Sequence, residues 1–322
     1  MSETLLEVKD LKKHYPVRKG VLQRIVAKVH AVDGVSFYLK QKETLGIVGE
    51  SGCGKTTLLM MIQRLIEPTS GSVSFNGQNI FKLSRNELKN LRRNMAMIFQ
   101  DPYSSLDPRM TVADIIGEPL EVQGIAKGAK KLEIVKEWLD RVRLPSYYIY
   151  RYPHQLSGGE KQRVGIARAL VAGARLLFAD EPVSSLDVSV RAKILNLIMR
   201  LQKTLGLTSL YVSHDLRTVK YLCDRVAVMY LGKFVELASS ETLYENPLHP
   251  YTQALMYAIP RLDRTIKKDR IILKGEVPTP VNPPSGCRFH PRCIHIGSKC
   301  TKEEPPFIEI EKGHFIACHL YE

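Results

Sequence analysis

The sequence predicts an α/β fold with a phosphate-binding core, a helical subdomain inserted in it and a small cysteine-rich C-terminal extension. Three observations carry that reading. An apolar run, Thr44 to Val48, leads through Gly49-Glu50-Ser51-Gly52-Cys53-Gly54-Lys55-Thr56-Thr57 into the apolar stretch Leu58 to Ile66, which is the strand, glycine-rich turn and helix that G-x-x-x-x-G-K-[ST] requires. Residues 88–153 change character, from a turn-rich loop at Asp101 to Pro108 to helical spacing at Leu132, Val135, Trp138, Leu139 and Val142. Four of the six cysteines crowd the end of the chain, at Cys287, Cys293, Cys300 and Cys318.

The glycines of the loop let its backbone turn tightly, so that N–H groups converge on one point at the positive end of a helix. That geometry suits a polyanion. Lys55 is placed to reach terminal phosphates and Thr56 to set its hydroxyl on Mg²⁺. The motif predicts that the chain binds a nucleoside triphosphate.

A length of 322 residues suits one sizeable core and a smaller second unit. No apolar stretch approaches a bilayer's thickness, and the N-terminus MSETLLEVKD is acidic, without a signal-peptide apolar region. The expected location is the cytosol, or the cytosolic face of a membrane held there by partners. The net charge of +14 would suit nucleic acid or an anionic surface. The charge is scattered, however, and the pairs Arg92-Arg93, Lys130-Lys131 and Lys267-Lys268 read as solvated faces.

Taken in order, residues 4–9 and about 30–39 read as strands, the second alternating Val32, Val35, Phe37 and Leu39. Tyr15 lies between them. Its ring is able to stack on a purine base, although local chemistry alone favours packing. Further strands are expected at 72–76 and at 95–99, the latter ending at Gln100. Ser157, Gly158, Gly159 and Glu160 open a helix from Lys161 to Ala172, and this is either an ordinary capped helix or a second anion site. Leu176 to Ala179 is a buried strand ending in Asp180-Glu181. Two adjacent acids there divide into a Mg²⁺ ligand and a base that polarises water. The strand Leu210 to Val212 leads to His214, a residue suited to a γ-phosphate contact or to ordinary half-burial. Val226–Met229 and Phe234–Leu237 form a hairpin, and the proline-rich stretch Pro278 to Gly286 connects to the tail. Cys53 lies in the loop, and Cys223 reads as a core filler in an apolar helix.

These motifs, in this order and spacing over about 5–240, resemble the ATP-binding cassette (ABC) ATPases, a P-loop NTPase fold. The resemblance implies that Tyr15 stacks on adenine and that Gly49, Ser51, Gly52, Cys53, Gly54, Lys55, Thr56 and Thr57 hold the phosphates. It makes Gln100 a contact to Mg²⁺ and water that also senses the transporter subunits. Ser157, Gly158, Gly159 and Glu160 become the signature facing the opposing ATP, with Glu160 where glutamine is commonest. Asp180 joins Thr56 and Gln100 in the Mg²⁺ site, Glu181 is the general base, Ser184-Ser185-Leu186-Asp187 the inter-subunit loop and His214 the switch histidine.

The tail, with His249-Pro250-Tyr251-Thr252-Gln253-Ala254-Leu255, Gly275-Glu276-Val277-Pro278 and Pro283-Pro284-Ser285-Gly286-Cys287, resembles the oligopeptide/dipeptide importer branch and its second ATPase subunit. An ABC domain at 1–240 (helical subdomain about 88–153) and an importer extension at 241–322 are therefore expected. The implied function is ATP hydrolysis powering import of di- or oligopeptides, with an oligosaccharide or a nickel complex as other cargoes. The implied partners are a paralogous ATPase in a head-to-tail heterodimer, two transmembrane permease subunits and an external substrate-binding protein. A nucleic-acid-associated ABC ATPase is disfavoured, because the cassette is single and lacks a long coiled-coil insertion.

The tail cysteines are separated by five, six and seventeen residues, wider than the tight pairs of zinc ribbons. Thiolates suit either zinc or an iron–sulfur cluster. Similar cysteines in the importer family hold a 4Fe-4S cluster, which is the cofactor expected beside ATP and Mg²⁺. Zinc is the runner-up, with His290, His295, His314 and His319 as substitute ligands. The cluster is expected to be structural, and loss of Cys300 to leave nucleotide binding largely unchanged.

Overall fold

The structure, a computed structural model, describes residues 3–21, 23–101, 105–258, 273 and 275–322. Along the chain run β1 (Thr4–Lys19), β2 (Arg24–Lys40), β3 (Thr44–Val48), α1 (Lys55–Ile62), β4 (Ser70–Phe75), β5 (Gln78–Asn79), α2 (Arg85–Arg92), β6 (Met95–Ile98), α3 (Val112–Val122), α4 (Gly128–Arg141) and α5 (Gly158–Leu170). Then come β7 (Leu176–Asp180), α6 (Val188–Leu205), β8 (Thr208–Ser213), α7 (Leu216–Leu222), β9 (Arg225–Tyr230), β10 (Lys233–Ser239), α8 (Ser240–Glu245), α9 (Pro250–Tyr257), β11 (Ile308–Glu311) and β12 (His314–Ile316). The chain forms two compact units. One contains residues 1–40, 44–82 and 212–322, the other 41–43 and 83–211.

In the first unit, β2-β1-β4-β5 make an antiparallel sheet. Val32, Val35, Phe37 and Leu39 are buried, as the alternation predicts. The hairpin is far longer than the apolar pattern indicates, since polar residues through Lys19 pair with Arg24 onward. β3 is buried at every residue and runs parallel to β9, as a strand covered on both faces must. β9 and β10 form the expected hairpin. Its turn residues, Leu231 at φ 43° and Gly232 at φ 82°, have the left-handed pair of a two-residue connection. α1 starts at Lys55 and stops at Ile62, short of the expected Ile66, because Arg64 turns left-handed at φ 50°. Cys223 lies just past the end of α7, with extended backbone, buried and with its thiol pushed far up by burial.

Residues 241–322 belong to this same unit. β12 adds to β10, pairing Ile316 with Glu236 and Phe315 with Leu237, and β11 adds to β12. Glu236 is completely buried. Its carboxylate accepts the backbone N–H groups of Leu248 and His249, both at 2.9 Å, and lies 2.9 Å from His314 Nε2. A buried acid is tolerable with its oxygens so partnered.

In the second unit β8, β7 and β6 lie side by side, β6 parallel to β7, with the unit boundary falling inside β8. The stretch 88–153 therefore contains a sheet strand, β6, as well as α3 and α4. On α4, Val135, Trp138 and Leu139 are buried, followed by Val142, whereas Leu132 is exposed at the helix's first turns. The pair Lys130-Lys131 is ion-paired, to Glu133 and to Glu121, each at 2.9 Å. Pro102 to Ser104 of the turn-rich loop and the pair Lys267-Lys268 lie outside the described residues.

His249 caps α9, its Nδ1 accepting the Tyr251 N–H at 3.1 Å. Burial pulls its pKa down to about 4, against an opposing pull from Glu236. The unfolded chain takes up that proton near pH 6.5 and the folded chain only near 4, so stability is lost as pH falls through that window, by at most about 3 kcal/mol. Denaturant titrations from pH 7.5 to 4 should show this slope. His249→Asn, which keeps a capping oxygen without the titration, should flatten it.

Candidate functional site

The loop after β3 is shaped by close backbone approaches. A Cβ on Gly54, whose φ is 109°, would stand 2.0 Å from the Ala31 carbonyl oxygen, so only glycine fits there. Gly54 opens α1 without any side-chain cap, which leaves first-turn N–H groups for an anion. Lys55 is buried, and its Nζ donates to the carbonyls of Gly49 at 2.8 Å and Glu50 at 3.0 Å. Cys53 Sγ lies 3.7 Å from the same Nζ. Burial raises that thiol's pKa, against the Lys55 charge. Ser51, Gly52 and Thr56 are exposed and Thr57 half-buried.

Tyr15 stands exposed on β1, with Lys13 Nζ 4.9 Å from its ring centre. Its neighbour His14 donates from Nε2 to Asp33 at 2.9 Å, and His30 Nδ1 meets the other Asp33 oxygen at 3.1 Å. Arg288 also donates to Asp33. Burial would raise the Asp33 carboxyl, but the two histidines and the charges of Arg288 and Lys233 outweigh it and hold the carboxyl far below its usual range. Ligand atoms of His14, His30 and Asp33 lie within 4.8 Å of one another, a spacing shared by no other group of three such side chains among the described residues. With Arg288 already on the carboxylate, this group is an ion-pair network. His214 is exposed at the end of β8 in the first unit.

The second unit brings Gln100, Glu181 and Ser185 together. Gln100 Nε2 donates to Glu181 Oε2 at 3.3 Å, and Ser185 Oγ to the Gln100 carbonyl at 3.4 Å. Glu181 has φ 46°, a left-handed backbone unusual for a non-glycine residue and a form of strain that clusters at functional sites. Ser184 Oγ donates to its carbonyl at 3.0 Å. Asp180, just before it, is buried at the end of β7, and Asp187 occupies the N-cap position of α6 without a side-chain cap bond.

Ser157 is the N-cap of α5 in a reciprocal capping box. The Glu160 carboxylate accepts from Ser157 N–H at 2.8 Å, Ser157 Oγ at 2.9 Å and Tyr148 Oη at 2.7 Å. Burial would raise its carboxyl, yet the Tyr148 and Ser157 hydrogen bonds leave it lowered. These residues therefore form a capped helix start. Gly159 is needed for packing, since a Cβ there would meet Val190 at 2.6 Å.

The four tail cysteines carry half-buried free thiols. Cys287 N–H donates to the Cys300 carbonyl at 2.9 Å. Cys293 Sγ accepts the His295 N–H and Cys300 Sγ the Gly297 N–H, each at 3.4 Å. Burial, backed by the charges of the neighbouring cysteines, pushes both Cys287 and Cys318 up to about 11. No three of these sulfurs lie within 4.8 Å of one another. Of the substitute histidines, His290 meets the Cys287 carbonyl, His314 meets Glu236 and His319 meets the Glu303 carbonyl, each at 2.9 Å.

One contact runs from this tail to the phosphate-binding loop. Arg292 donates to both carboxylate oxygens of Glu50, at 2.8 and 3.1 Å. Nothing in the sequence pairs residues 242 apart.

Residues 32–184 match the family described as ABC transporter, and residues 235–300 match the oligopeptide/dipeptide transporter C-terminal region. The chain is 52% identical over 322 residues to the oligopeptide transport ATP-binding protein AppF of Bacillus subtilis (strain 168), spanning 99% of this chain and 98% of that one. The chain belongs to the ABC transporter family. It is also 51% identical over 320 residues to the putative oligopeptide transport ATP-binding protein YkfD of the same organism, spanning 98% and 95%. Among solved structures, a dimeric ATP-binding cassette in a post-hydrolysis state bound to ADP and Pi has a TM-score of 0.63 at 28% identity, covering 73% of this chain and 98% of that one. The fold is thus that of a P-loop ABC ATPase.

Within this ABC ATPase the Ser157 cap has a stability of its own. Ser157→Ala removes the side-chain acceptor and should cost about 1 kcal/mol, read as a lower denaturant midpoint at unchanged slope.

Proposed function

We propose that this chain is the ATP-hydrolysing subunit that powers peptide import by an ABC transporter, an ATPase domain at 1–240 followed by an importer extension at 241–322. The observation that carries this is full-length identity above half to an oligopeptide transport ATP-binding protein, together with the importer-type C-terminal region. That region also favours peptides over an oligosaccharide or a nickel complex. No helix among the described residues is long and apolar enough to cross a membrane. The chain accordingly works as a peripheral subunit on the cytoplasmic face, with permease subunits, an external binding protein and a paralogous ATPase. That a cassette it resembles is dimeric supports the pairing of two ATPase subunits.

In this reading Tyr15 carries the adenine, and the backbone of Gly49–Thr57 with Lys55 holds the phosphates. Thr56, Gln100 and Asp180 hold Mg²⁺, which supplies charge neutralisation at the phosphate oxygens. Their chemistry fits, being hydroxyl, amide and carboxylate oxygens for a hard cation. Glu181 takes the proton of the attacking water, and its bond to Gln100 Nε2 orients the carboxylate. His214 contacts the γ-phosphate, while Ser157–Glu160, Ser185 and Asp187 serve the opposing nucleotide. Two anion sites in one chain then belong to different ATP molecules. Lys55→Ala should abolish ATP binding by the isolated chain. Glu181→Gln should keep binding while cutting turnover by roughly 10²–10⁴ in the assembled transporter, measured as phosphate release. Near-normal turnover would remove Glu181 from the role.

The same reading gives the extension a 4Fe-4S cluster on Cys287, Cys293, Cys300 and Cys318. A single zinc ion at about 2.3 Å from each sulfur needs them mutually closer than 4 Å or so. The wider grouping of the sulfurs supports a cluster over zinc. Such a staple suits a short tail with little core. Anaerobically purified protein should be brown and contain iron and sulfide. Colourless protein with one zinc per chain would overturn it.

A further inference from the structure

Glu50 is an awkward residue for its place. It is the second residue of Gly49–Thr57 and carries a negative charge beside the point where the loop's N–H groups converge. A polyphosphate there would be repelled by a bare carboxylate. The structure meets that carboxylate with the bidentate guanidinium of Arg292, itself almost fully buried, while the Glu50 side chain stays 27% exposed. The Glu50 N–H also donates to the hydroxyl of the fully buried Tyr251 at 3.0 Å, and its carbonyl accepts from Lys55 Nζ at 3.0 Å. Side chain, N–H and carbonyl of one loop residue are thus all held.

Arg292 is placed as firmly as its partner. Its N–H donates to the Phe289 carbonyl at 3.0 Å, and its guanidinium lies 6.0 Å from the Tyr230 ring centre. Phe289 meets Tyr230 edge-on at 5.3 Å and Tyr251 at 5.4 Å. Nearby, Arg288 donates to the Leu231 carbonyl, and the next residue's N–H, that of Gly232, donates to the Cys53 carbonyl at 2.8 Å. The segment bearing Cys287 and Cys293 therefore braces the loop at two points.

We propose that Arg292 is a positioning residue for nucleotide binding, acting through Glu50: it masks that carboxylate so that the loop accepts a triphosphate. The inference rests on reading Gly49–Thr57 as the phosphate site. It predicts a sign that loss of packing would not produce. Removing the arginine unmasks a charge, and removing both partners removes the charge as well.

The test is ATP and ADP affinity of the full-length chain by titration calorimetry, with thermal unfolding followed in parallel. Arg292→Ala should weaken ATP binding about ten- to thirtyfold, less for ADP, with the loss growing as salt is lowered. Arg292→Lys, which keeps the charge, should stay within about threefold of wild type. Glu50→Gln with Arg292→Ala should return to within about threefold, and Glu50→Gln alone should bind at least as well as wild type. Arg292→Ala within about twofold of wild type would overturn the proposal. So would a double variant no better than Arg292→Ala, the result expected of a purely structural contact. Lys55→Ala in the same series separates the two readings. If it still binds ATP, the phosphate-site reading fails and takes this one with it. If it loses ATP while Arg292→Ala does not, only the role of Arg292 fails.

Discussion

The carboxylate of Glu236 is shut away from water in the middle of β10, and its two oxygens draw together parts of the chain that the sequence keeps far apart. Two of its donors are the backbone N–H groups entering α9, and its third partner is a histidine of β12. Left without them, a buried charge costs several kcal/mol. The cheapest way to fold β10 is therefore to bring α9 and the C-terminal strands onto it. Once β12 is on that edge, Cys318 follows at its end and Arg288 and Arg292 face the turn after β9. The geometry around the phosphate-binding loop depends on this anchorage, although Glu236 touches no loop residue.

Much of this was legible in the sequence where one physical rule acted locally. β3, β7 and β8 are apolar runs because both faces are covered. The loop between β3 and α1 was legible because its glycines are there for backbone reasons, as the 2.0 Å approach at Gly54 illustrates, and Lys55 and Thr56 follow within the same short motif. The long arm of β1 and β2 escaped because the residues that extend it are largely polar and exposed, so no apolar alternation records the pairing. Leu132 escaped in the opposite sense, an apolar residue in helical register that faces solvent.

In the candidate site the division is sharper. Adjacent acids at the end of β7 are visible at once, whereas the contact that orients one of them, Gln100 to Glu181, joins residues 81 apart. The glutamate at position 160 was noticed as a departure, and its consequence is visible only in three dimensions. There it closes a capping box and accepts Tyr148 as well, so it stands as a helix-start acceptor where an amide could serve. Glu236 did leave a signal, an acid inside Phe234-Val235-Glu236-Leu237. A strand that is otherwise apolar and carries one acid needs a partner from elsewhere. Arg292 left none.

The order in which a ribosome makes this chain gives the Glu50–Arg292 bond one more consequence. The loop is synthesised early, and its arginine follows 242 residues later. At roughly 5–20 residues per second, the nascent loop spends about 10–50 s with its acid bare. During that interval the growing chain holds the loop without the guanidinium that meets its acid in the folded protein. On the proposed role of Arg292, competence for ATP thus arrives only once residue 292 has emerged, long after the loop itself.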